Sequence, residues 1–148
     1  MKTYISVALI FLSISACTQI QAPLTQDQQL SRDIMGSWIT AGDSSDYDPS
    51  PGRETFSQDG TYWLYMFSDA SCTHVTHVGE AAWYIKDGIL VSETKAESDS
   101  SMGPLGRVMR DQIVSLNKTK LVLHSLDDNT TYSRTRSMGC FADKQLNI

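Results

Sequence analysis

Cys72, His74 and His77 are the side chains whose types and spacing could hold a zinc or copper ion. Such ions take thiolate sulfur and imidazole nitrogen. On a strand, alternate residues face opposite sides, so Cys72 and His74 share a face and His77 points to the other. A helical turn would bring the two imidazoles together, but Val75 and Thr76 between them favour a strand. No metal is expected there. Asp43, Asp46 and Asp48 offer oxygens of the kind calcium takes. They lack the Asp-x-Asp-x-Asp-Gly spacing of a calcium loop and read as a solvated acidic loop. Serine is abundant, yet no Gly-x-Ser-x-Gly elbow is present. His124 reads as a buried, hydrogen-bonded core residue on a strand, and Glu54 as paired with the neighbours of Arg53 or facing solvent. No acid, base and nucleophile stand out as a set, so a non-catalytic protein without a cofactor is expected.

The aromatic residues carry more information. Residues 55–67 read Thr-Phe-Ser-Gln-Asp-Gly-Thr-Tyr-Trp-Leu-Tyr-Met-Phe. Asp59-Gly60 lies between two runs rich in Thr and aromatics, which is a strong hairpin signal. Gly60 supplies the positive φ that a tight turn requires. Trp63, Tyr65 and Phe67 alternate with Tyr62, Leu64 and Met66, so this strand is apolar on both faces. The same grammar recurs around Asp87-Gly88, between Trp83-Tyr84-Ile85 and Ile89-Leu90-Val91.

In chain order, residues 27–35 form a short helix, with Leu30, Ile34 and Met35 at helical spacing and Thr25 or Asp27 as its cap. Strands are expected at 36–40, 53–57, 61–67, 73–78, 81–85, 89–94, 107–116 (with an irregularity), 121–126 and 130–136. Residues 41–52 and 95–106 are long polar loops. About eight antiparallel strands with short connections suit a small closed barrel or a sandwich. The barrel is preferred because closure removes exposed edges.

The first residues bear on the compartment. Lys2 precedes an apolar run over residues 5–14, of signal-peptide length and too short to span a bilayer. Ile14-Ser15-Ala16-Cys17 resembles the lipobox of bacterial lipoproteins. The resemblance implies that residues 1–16 are a signal peptide, that Cys17 is lipidated, and that 17–26 is a tether to a domain spanning 27–148. Thr18 after the Cys implies the outer membrane, with the protein lipid-anchored on the periplasmic face. Asn117-Lys118-Thr119 and Asn129-Thr130-Thr131 match the glycosylation sequon, but in such a lipoprotein both read as turn chemistry. In an oxidising compartment Cys72 and Cys140 are expected to pair. Closing a loop of that length contributes about 4 kcal/mol in the chain-entropy model. The formal charge is −5, and removing residues 1–16 deletes Lys2 and no acid. That balance argues against nucleic acid as a partner.

Gly36-Ser37-Trp38 after a short helix resembles the Gly-x-Trp that opens the first strand of lipocalins and related calycins. With Phe56…Asp59-Gly60-Thr61-Tyr62, Trp83…Asp87-Gly88 and a closing Tyr132-Ser133-Arg134, the chain is similar to small bacterial lipocalin-like lipoproteins over residues 33–136. The resemblance implies structural roles for Gly36 and Trp38. It also implies a basic residue of the last strand packed across the Trp, for which Arg134 is the first candidate and Arg136 the second. The expected function is a binding module for a small apolar or amphipathic ligand, walled by Trp38, Trp63, Tyr65, Phe67 and Trp83. The alternative is an interaction, inhibitor or structural envelope module that acts through its loops around a filled barrel. The lipobox reading is checked by metabolic labelling: the wild-type protein is expected to incorporate labelled palmitate, and Cys17→Ser to incorporate none.

Overall fold

The computed structural model describes residues 22–40, 52–69, 71–98 and 104–136. Cys17, Cys140, the acidic loop with Asp43, Asp46 and Asp48, and residues 99–103 lie outside them. One helix, α1 (Gln26–Ile34), precedes eight strands: β1 (Gly36–Thr40), β2 (Gly52–Phe56), β3 (Thr61–Phe67), β4 (Val75–Lys86), β5 (Ile89–Glu97), β6 (Val108–Leu116), β7 (Lys120–Ser125) and β8 (Thr131–Arg136). Every strand pairs antiparallel with its chain neighbour, and β8 pairs back to β1. The result is a closed, mostly β, lipocalin-like barrel.

Turn chemistry sets the hairpins. Gly60 has φ +84°, and Asp87 and Gly88 have φ +54° and +75°. Both turn glycines therefore sit where other residues are strained. Residues 73–78 and 81–85, expected as two strands, are one 12-residue strand, β4. Gly79-Glu80 does not end it, because pairing to β3 runs straight through both residues and a register shift against β5 at Glu80/Ala81 absorbs the irregularity as a bulge. The irregularity expected in β6 is a register shift between Ile113 and Ser115.

Thr25 caps α1 in a full capping box, its side chain accepting from the Gln28 amide while the Gln28 side chain accepts from the Thr25 amide. Asp27 then reaches the β4–β5 hairpin. Its carboxylate accepts from the Asp87 amide at 2.8 Å and the Gly88 amide at 3.0 Å. These bonds place α1 across one end of the barrel. The opposite end, here called the mouth, carries the connections after β1, β3, β5 and β7.

At the closed end, Ile34, Trp38, Phe56, Trp83, Leu90 and Leu121 form the core, with Phe56 edge-on to Trp83 at 5.3 Å. Burying each large apolar side chain contributes roughly 1.5–3 kcal/mol. The Trp38 indole donates to the Ile34 carbonyl at 2.7 Å, which satisfies a helix-end acceptor. The cation across Trp38 is Arg136, 4.2 Å from the ring, and not Arg134. Arg136 is the register partner of Trp38 and so stands beside it, whereas Arg134 pairs with Leu121 and reaches Glu54. Arg136 also donates to the Met35 carbonyl at 2.8 Å and to the Asp33 carbonyl.

Gly36 is where this arrangement admits only one residue. Its φ is +109°, and a Cβ there would meet Arg136 Nη1 at 2.9 Å. Gly36→Ala is expected to cost about 1–3 kcal/mol through backbone strain and displacement of the guanidinium. Urea denaturation of the variant beside the wild type checks this.

Candidate functional site

The inner wall follows from register. Glu54 and Phe56 are buried on β2 and pair with Leu64 and Tyr62, so Tyr62, Leu64 and Met66 face inward on β3. Trp63 and Tyr65 pair with Thr55 and Arg53 on the outer face, where the two rings stack at 6.3 Å. The aromatic wall expected from Trp38, Trp63, Tyr65, Phe67 and Trp83 therefore divides. Trp38 and Trp83 belong to the core at the closed end, and Trp63 and Tyr65 cover the outside. Phe67 is fully buried beyond the bulge at Met66/Phe67, apart from the main cluster. The turn at Asp59-Gly60 fixes register with a period of two, so Tyr62 rather than Trp63 takes the inward position.

Midway up the barrel the inner wall becomes polar. Arg134 Nε and Nη2 both donate to Glu54 Oε1 at 2.8 Å, with side-chain exposures of 14% and 8%. Arg134 also lies over the Tyr132 ring at 4.4 Å. Burial opposes the charge on Arg134, but the Glu54 carboxylate outweighs it and raises the guanidinium pKa. Burial pushes the Asp111 carboxyl up despite a hydrogen bond from the Tyr132 hydroxyl, and the Glu54 charge adds to the shift. Burial likewise raises the pKa of Tyr62 and Tyr132, with Glu54 and Asp111 respectively adding to it. The cluster is thus one buried ion pair beside a carboxyl and two neutral phenols.

Further from α1 the inward positions carry Gly79 and Thr94, with Met66 packed on Gly52, while Ser92 pairs with Trp83 and Ser125 with Asp111. His77 is buried among them, 6% exposed. His74 is the exposed imidazole, 3.4 Å from Asp69, so the two histidines do not converge. Among the described residues no group of three or more His, Cys, Asp or Glu could hold a metal ion.

Cys72 is buried in the connection after β3, with φ +55°. Asp69 organises that turn, accepting from the Ser71, Thr73 and His74 amides and from the Ser71 and Thr73 hydroxyls. The Ser71 hydroxyl is the main cause that lowers the Asp69 pKa.

Sequence reading missed Glu54, Asp111, Tyr62 and Tyr132. The available signal was parity. Glu54 lies two residues from Phe56, and Asp111 two from Ile113, which puts each on an inward position of its strand.

Among solved structures the chain is similar to a lipocalin-like protein from Bacteroides uniformis ATCC 8492. The TM-score is 0.52 at 13% identity, covering 71% of this chain and 99% of that one. The likeness is one of fold. No family model and no curated protein matches the sequence.

Two outcomes test the polar cluster. Glu54→Gln leaves Arg134 buried without its counter-charge and is expected to cost about 3–5 kcal/mol, much of it regained in Glu54→Leu/Arg134→Met. For Asp111 the folded pKa lies above the unfolded one. Its contribution is therefore present below the unfolded value and lost as pH rises through the folded value. Thermal melts of Asp111→Asn against wild type are expected to move in favour of the variant between pH 4 and pH 7.

Proposed function

We propose that the protein is a non-catalytic binding module that takes a small amphipathic ligand inside its barrel, through the mouth opposite α1. The observation that carries this reading is the change of the inner wall along the barrel. Trp38, Phe56 and Trp83 pack the closed end, while Gly79 and Thr94 hold inward positions further from it. Large side chains at both ends would make a filled core. Small ones at one end leave room for a guest whose apolar body rests on the aromatic floor. Tyr62, Tyr132 and the Glu54–Arg134 pair add polar edges at the level where an amphipathic guest ends. The lipocalin-like fold suits this role.

The same reading includes anchorage. Ile14-Ser15-Ala16-Cys17 supports lipidation at Cys17 in the outer membrane, facing the periplasm. Since α1 lies across the closed end, a tether that leads into Thr25 would hold that end towards the bilayer and turn the mouth away from it. A Cys72–Cys140 bridge belongs here too. Cys72 supports it by its burial, and mass spectrometry without reductant should find no free thiol at either residue. The interaction-module alternative rests on the loops over residues 41–52 and 95–106, of which 41–51 and 99–103 lie outside the described residues.

The binding reading is tested by blocking the upper barrel. A Cβ on Gly79 would make only ordinary contacts, 3.5 Å to His77 Nε2 and 3.8 Å to Leu64 Cβ. Gly79→Phe is therefore expected to fold and to lower uptake of a dansyl-labelled C12 amphiphile by about tenfold or more, with fluorescence titration as the readout. Ala82→Trp, on the outer face opposite Thr61, is expected to leave uptake unchanged. Equal uptake by wild type and Gly79→Phe would remove the interior site.

A further inference from the structure

Two polar atoms near the mouth of the barrel have no partner. His77 Nε2 and Glu97 Oε2 are each buried without a hydrogen bond. They stand on adjacent strands. Glu97 is the register partner of Gly79, and His77 is two residues before Gly79 on the same inward face. His77 and Glu97 are thus diagonal cross-strand neighbours, at a separation long side chains can span. No ion pair joins them, and an unpaired buried polar group is costly.

The hydrogen bonds at Ser98 fit an imidazole proton on Nε2. Ser98 Oγ accepts from the Val78 amide at 2.9 Å and lies 3.4 Å from His77 Nδ1. With the serine hydrogen given to Nδ1, the ring proton is on Nε2. The pair then offers one donor, Nε2–H, and one acceptor, Oε2. A single group that both accepts and donates would satisfy the two at once, and only an uncharged one does so without adding charge. A hydroxyl or a primary amide fits. A carboxylate fails, since it would set a second acceptor against Glu97 Oε2, on an inner wall that already carries Glu54 and Asp111.

We infer that His77 and Glu97 form a head-group subsite for an uncharged hydroxyl or primary amide on the ligand of the barrel. The inference rests on the binding-module reading and adds to it the polarity of the ligand's exposed end.

The experiment is a titration of the full chain at neutral pH with two dansyl-labelled C12 probes, one ending in a primary amide and one in a carboxylate. The amide is expected to bind about tenfold more tightly. Both variants should bring the two affinities within about threefold of each other, His77→Phe by weakening the amide probe and Glu97→Leu by also strengthening the carboxylate probe. Thermal melts confirm that both variants fold. If one variant fails to fold, the other decides. Equal affinities in the wild type, or a preference that survives in the folded variants, would overturn the subsite and leave the binding module standing. Failure of both probes to bind would remove the binding module itself, and the subsite with it.

Discussion

The Arg136 guanidinium is the contact on which the rest of the molecule depends. It lies flat over Trp38 and donates to the carbonyls of Met35 and Asp33. Its residue is also one of the two positions at which β8 pairs with β1. One side chain therefore satisfies the end of the helix, covers the largest core aromatic and joins the first strand to the last. Planar geometry makes this possible, because arginine can stack with its face while donating from its edge. Gly36 and the indole N–H of Trp38 are the other half of the arrangement. The first leaves space for the guanidinium, and the second takes the carbonyl of Ile34.

With the closed end fixed in this way, register leaves the middle of the barrel with charges to accommodate. Glu54 and Arg134 flank β1 and meet across the inside of the barrel. A buried pair of this kind returns little net stability relative to an apolar pair of the same volume. Around it, burial raises the pKa of Tyr62 and Tyr132, with the Glu54 charge adding to the shift and Arg134 opposing it. The outer face shows the opposite economy. Trp63 and Tyr65 stack there beside Arg53, which donates to Ser37, so aromatic residues are used as cover as well as core.

The fold was legible because its signals are local. Asp59-Gly60 and Asp87-Gly88 fix two turns, Thr25 with Gln28 marks the helix start, and β1 and β3 have the bounds their patterns give. The longer β4 was hidden because a bulge at Glu80/Ala81 absorbs what reads as a break. The interior was less legible for a different reason. A strand apolar on both faces, such as β3, carries no parity signal of its own. Only the register against β2 shows that Tyr62, and not Trp63, faces Glu54 and Arg134. The choice between Arg134 and Arg136 over Trp38 likewise turns on a two-residue displacement along β8, which a short motif does not determine.

Closure of the barrel also has a consequence in time. All the strand pairings but one join neighbours in the chain, across turns or loops that can form independently. The exception brings Arg136 to Met35, 101 positions away. Loop closure of that length carries the largest entropy cost in the fold and slows whatever step depends on it. The meander from β2 to β8 can therefore assemble while β1 is still unattached at one edge. The guanidinium then acts as a latch set at the end of folding. Until it sets, β1 and β8 are open edges, and that interval is when a second copy of the chain could exchange strands with the first.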